Sequence, residues 1–148
     1  MPNKNLVAEA NTTIDAPIPT VWGALVNPAT IKKYMFGTTV TSDWKEGGPI
    51  TWKGEWEGRP YEDKGVILKL EPQRMLRYSH FSPLMGKPDK PENYHTVTIQ
   101  LSSIGKQTRV ALSQDNNETE ETRENSKKNW EMMLATLKKL LEPRPGKS

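Results

Sequence analysis

The chain has 148 residues, 34% of them apolar and 26% charged, with 21 Lys and Arg against 18 Asp and Glu for a net charge of +3. That length suits one ordinary domain with one core, and no second domain is expected. The basic excess is small and interspersed, so no nucleic-acid partner is expected, and the absence of cysteine removes disulfides, thiolate nucleophiles and Cys-ligated zinc.

Met1 to Asn11 is polar and lacks the apolar centre of a secretion signal, and nowhere do about 18 apolar residues run together. A soluble cytoplasmic protein without a membrane span is therefore the expectation. Leu6 to Ile14 reads as an opening strand, stopped at Asp15-Ala16-Pro17 because a proline biases the residue before it to extended geometry. Pro19 suits a first helical position, and Val21, Trp22 and Leu25 give a short apolar face. Asn27-Pro28 then caps and starts a second short helix through Ile31 to Tyr34, so two small helices follow the first strand.

From Gly37 the period changes to two. Ile50, Trp52, Gly54 and Trp56 share an inner face, with Thr51, Lys53, Glu55 and Glu57 on the wet one. The missing side chain at Gly54 implies a bend or a void. Val66, Leu68 and Leu70 are read as continuing the inner face, Glu71-Pro72-Gln73 turns the chain, and Leu76, Tyr78 and His80 share the next face. Ser82 to Asn93 is a loop with three prolines, the segment expected to move. His95, Val97, Ile99 and Leu101, then Thr108, Val110, Leu112 and Gln114, alternate with polar residues around a turn at Gly105, as antiparallel strands do. Asn117 is read as the cap of a long terminal helix, with Glu120 completing a capping box. Trp130, Met133, Leu134, Leu137 and Leu141 form its stripe, whereas Arg123, Ser126 and Lys127 leave its first half polar. Pro143 to Ser148 ends it.

Strand, two short helices, about six further strands and one long helix make an α+β helix-grip layout, a curved antiparallel sheet of six or seven strands around a C-terminal helix. The apolar share is low against a usual figure of about 45–50% when glycine is counted. Together with five tryptophans, that suggests a core that is thin or partly hollow. A helix that is greasy only in its second half can grip the sheet there and roof a hollow elsewhere.

Ile14-Asp15-Ala16-Pro17 with Val21-Trp22, Asp43-Trp44-Lys45-Glu46-Gly47-Gly48, Gly65 with Glu71-Pro72, and Tyr94-His95-Thr96-Val97-Thr98 with Gln114-Asp115-Asn116 occur in an order that resembles one family over Asn11 to Glu142. It is the family of homologues of the heat-shock-chaperone ATPase activator, within the START-like superfamily of the birch pollen allergen and polyketide cyclases. Many relatives carry glycine where Asn129 precedes Trp130, which implies a narrower pocket here. The resemblance implies a binding cavity, a chaperone partner, or a cyclase-like activity.

His80 and His95 fall on inner faces flanking the loop, where paired strands would bring the imidazoles together. They can orient a ligand or exchange protons, but no third ligand completes a zinc site, so no metal and no cofactor is expected. Arg59, Glu62, Asp63 and Arg77 read as solvated charges. Ser79, Ser82 and Ser113 lack a base in triad order, and Gly47-Gly48 lacks the lysine and helix of a phosphate loop, so no catalytic residue is named. The expected function is binding of a small hydrophobic or aromatic molecule, lipid-like or polyphenol-like, by Trp52, Trp56, Leu68, Tyr78, His80, His95, Val97, Ile99, Trp130 and Met133. A chaperone-associated module and a polyketide cyclase-like enzyme remain the alternatives.

Overall fold

The computed structural model describes residues 6–56, 58–82, 88–117 and 119–142, with the side chain of Trp56 outside the description. Strand β1 (Leu6–Ile14) leads into helices α1 (Ile18–Leu25) and α2 (Pro28–Tyr34). Six strands follow: β2 (Thr39–Ser42), β3 (Pro49–Trp56), β4 (Arg59–Glu71), β5 (Met75–His80), β6 (His95–Ile104) and β7 (Gln107–Asn117), before α3 (Glu120–Leu141). All seven strands form one antiparallel sheet in the order β1-β7-β6-β5-β4-β3-β2. This is the expected helix grip.

Local chemistry accounts for most of the boundaries. Asn27 Oδ1 accepts from the backbone N–H of Ala29 and Thr30 at 3.0 and 3.4 Å, starting α2 behind a proline. Alternation then places Ile50 and Trp52, Leu76 and Tyr78, Val97, Ile99 and Leu101, and Val110 and Leu112 in the core. Inward positions on β1 are the small Ala8 and Ala10, which lets α3 lie close and bury Met133, Leu134 and Leu137. A clamp fixes the far end of that contact. Lys138 Nζ donates to Thr13 O at 2.7 Å and to Glu142 Oε2 at 2.5 Å, while the backbone N–H of Asp15 donates to the same carboxylate at 2.8 Å.

Three expectations are corrected. On β4 the inner residues are Gly65 and Ile67, whereas Val66 and Leu68 are 38% and 46% exposed. Gly65 fixes that phase: a Cβ there would sit 1.7 Å from Ser79 O, so only the bare backbone fits against β5. A register shift between Ile67 and Lys69 then returns Leu70 to the inner face opposite Leu76. Second, the helix starts later than Asn117, which is the buried last residue of β7. Its Nδ2 donates to Leu6 O and Gln114 O at 2.9 and 3.0 Å, and its Oδ1 accepts from Ser126 Oγ. Thr119 is the cap, and the box partner is Thr122, not Glu120. Third, the space beside Gly54 is not a void but a seat for the ring of its cross-strand neighbour Tyr61.

Candidate functional site

Between the inner sheet face, the end of α2 and the middle of α3 lies a line of rings. Trp52 on β3 meets Tyr78 on β5 with centroids 5.1 Å apart and His80 edge-on at 4.9 Å. His80 and His95 are direct cross-strand partners with centroids 6.3 Å apart, as the alternation predicts. Across from them, Trp130 of α3 donates its indole N–H to Gln114 Oε1 at 2.5 Å, which fixes the ring over the sheet.

Two adjoining hollows remain among these groups. An apolar one of about 30 Å³ lies among Trp44, Ile50, Leu76, Ile99 and Met133. A second of about 80 Å³ is walled by Thr38, Tyr61, Asp63 and His80. Met35, Trp52, Tyr78 and Trp130 line both. Neither reaches the roughly 300–1,000 Å³ of a pocket for a drug-sized ligand. The partly hollow core expected from composition is thus largely filled by its own tryptophans. A larger groove of about 490 Å³ opens on the surface between α1 and two hairpin turns, lined by residues such as Pro17, Pro72, Arg74 and Lys106. It has no aromatic wall and no buried polar group, so the smaller hollows carry the chemistry.

Of the expected site residues, Trp52, Tyr78, His80, Ile99, Trp130 and Met133 line the two hollows, and Val97 is buried beneath them on β6. Leu68 faces outward because of the β4 phase, and the Trp56 side chain and residues 83–87 of the expected lid lie outside the described residues. The lid's described end is tied down: Tyr94 stacks on Phe81 and donates to Asp89 Oδ1 at 2.6 Å, and Asp89 pairs with Lys64. The histidines serve separate partners. His95 Nδ1 donates to Asp115 O at 2.9 Å, the carbonyl being able only to accept, and His80 Nε2 lies 2.9 Å from Asp63 Oδ2. Among the described residues no group of three His, Cys, Asp or Glu side chains could hold a metal.

Asp63 is the residue the sequence reading missed. Its side chain is 14% exposed, and its second oxygen, Oδ1, is buried without a hydrogen-bond partner. Two of the donors that line the same hollow are committed elsewhere. Thr38 Oγ1 gives its proton to Met35 O at 2.8 Å, so Tyr61 O–H donates to Thr38 Oγ1 at 2.7 Å. Burial pushes the Tyr78 phenol well above its ordinary pKa, so it stays neutral in the hollow. The signal was present in the sequence as Tyr61, Asp63, Gly65 and Ile67, a period-two set opposite in phase to Val66 and Leu68.

A seven-stranded antiparallel sheet gripping one long helix, with ring-lined space between them, defines a helix-grip protein of the START-like type. The chain belongs to the family described as activator of Hsp90 ATPase homolog 1-like protein, whose model matches residues 15–142. ChR145 of Cytophaga hutchinsonii, known from its solution structure, is 60% identical over 95% of this chain and 96% of its own, with a TM-score of 0.83. CalU16 of Micromonospora echinospora is 24% identical over 97% and 88%, with a TM-score of 0.71. The Aha1 dimer of Colwellia psychrerythraea is 22% identical over 95% and 99%, with a TM-score of 0.74. The last two likenesses concern the fold alone. A search of curated proteins finds no match. No helix among the described residues is long and apolar enough to cross a membrane.

Proposed function

We propose that this protein is a binding module for a small hydrophobic or aromatic molecule, held between the sheet and α3 against Trp52, Tyr78 and Trp130. One observation carries the reading: the unfilled space inside the domain lies against aromatic faces, with polar groups confined to one end. Apolar burial there supplies affinity at roughly 25 cal/mol per Å², and the polar end fixes orientation. A ligand with the dimensions of a lipid or a polyphenol exceeds the present space, so its entry requires lining residues such as Met35 and Trp130 to give way. Amide chemical-shift titration with single-chain lipids and planar polyphenols tests this. Saturable shifts clustered on strands β3, β5 and β6 and on residues 130–134 are expected. Shifts scattered over the outer surface, or none with any compound, would refute it.

A chaperone partner is the second reading, favoured by the family's description alone. It requires that the protein change the ATPase rate of the chaperone with which it associates. An unchanged rate at saturating protein removes it.

A further inference from the structure

Asp63 poses a physical problem that a purely apolar ligand leaves unsolved. A carboxyl oxygen buried beside rings with no hydrogen-bond partner is costly, and such a group calls for a specific donor. His80 supplies a donor to Oδ2 only, and it is the one ion-pair partner found for Asp63 among the described residues. Lys64, next in sequence, points to the other face of β4 and pairs with Asp89. Three donors that line this hollow are committed to other groups: Tyr61 to Thr38, Thr38 to Met35, and Trp130 to Gln114. The walls of this hollow are the rings of Trp52, Tyr61, Tyr78 and Trp130, whose faces are electron-rich.

An N–H donor carrying positive charge answers each of these features. It completes the hydrogen bonding of Oδ1, compensates the carboxylate charge at close range, and gains from the aromatic faces. A neutral hydroxyl answers only the first. We propose that the roughly 80 Å³ hollow is a subsite for the primary ammonium group of a small amine, with one N–H aimed at Asp63 Oδ1 and the carbon chain directed into the adjoining apolar space. The two spaces together are smaller than the roughly 150 Å³ cavity that accepts benzene, so the fitting probes are short alkylamines. This inference rests on the binding reading above and names the class of head group for the same site.

The test compares n-butylammonium with 1-butanol, nearly equal in shape, by amide chemical-shift titration of the full chain at neutral pH. The ammonium compound is expected to shift Thr38, Asp63 and His80 and to bind about tenfold or more tightly than the alcohol, the usual scale for a hydrogen bond to a charged group. Asp63→Asn is expected to abolish that preference, so that the two probes bind the variant within about twofold of each other. Where the variant does not give a folded spectrum, the wild-type ratio alone decides. Equal affinities, or a preference that survives in Asp63→Asn, would overturn the ammonium subsite while leaving the hydrophobic-ligand reading to its own titration. Absence of shifts at those three residues with either probe would overturn it as well.

Discussion

A methyl group added at Gly65 would meet the carbonyl oxygen of Ser79 at 1.7 Å, and backbone is the least yielding of neighbours. Gly65→Ala is therefore expected to destabilise the fold by about 1–3 kcal/mol in urea denaturation. A loss below about 0.5 kcal/mol, typical of surface substitutions, would contradict the close approach of β4 to β5. The same residue explains what the sequence concealed. Counting from Val66 puts Leu68 inside, because the apolar residues dominate the count. Counting from Gly65 puts Asp63 and Tyr61 inside, but a glycine gives no hydrophobic signal. The phase of the strand was thus set by the residue with no side chain, and the most informative polar group of the site was read as solvated for that reason. Gly54 misled in the same way, since the ring that fills its place belongs to Tyr61 on the neighbouring strand.

Between β7 and α3 two residues divide a task that the sequence assigns to one. Asn117 locks the strand end from a buried position, and Thr119 caps the helix from an exposed one. Thr119→Ala is expected to cost about 1 kcal/mol, the ordinary value for a lost cap. Asn117→Ala removes three hydrogen bonds, one of them to a buried partner, and is expected to cost about 2–3 kcal/mol. Paired thermal melts check the order, and a larger loss at Thr119 would restore Asn117 to no more than a turn residue. The opposite end of α3 is sensitive to pH. The Lys138 ammonium first, and the Asp15 backbone N–H second, hold the Glu142 carboxyl below its ordinary pKa. A group depressed in this way contributes stability above its unfolded pKa and loses it as pH falls through the folded value. Glu142→Gln is therefore expected to lower the melting temperature near neutrality, by the equivalent of about 1 kcal/mol, and to matter less at pH 3 and below. An equal loss at both pH values would show that the clamp does not depend on the charge.

For the whole molecule, the helix stripe from Trp130 to Leu141 and the alternation in β3, β5, β6 and β7 were legible because each element buries one continuous face. The order of β2 to β7 follows, since successive antiparallel strands pair as neighbours, whereas β1 pairs with β7 from the far end of the chain. Residue types revealed the inner aromatics but not how much room they leave. That depends on ring angles and on which partner fixes them, as Gln114 fixes Trp130 and Thr38 fixes Tyr61. On the proposed binding reading, a domain so filled must yield at the seam between α2 and α3 to admit a ligand, and enlarging the hollow relieves it of that need. Trp130→Ala is expected to bind planar aromatic ligands more tightly than the wild type even though it loses about 3–5 kcal/mol of stability. Unchanged ligand binding by a folded Trp130→Ala protein would argue against a site beneath that ring.

The most direct measurement is a set of intermolecular nuclear Overhauser effects between a saturating aromatic ligand and the ring protons of Trp52, Tyr78 and Trp130. Contacts to all three rings in one complex are expected if the interior is the site. Contacts confined to outward groups such as Leu68, Phe36 or Met132 would place the ligand on the surface and contradict the account.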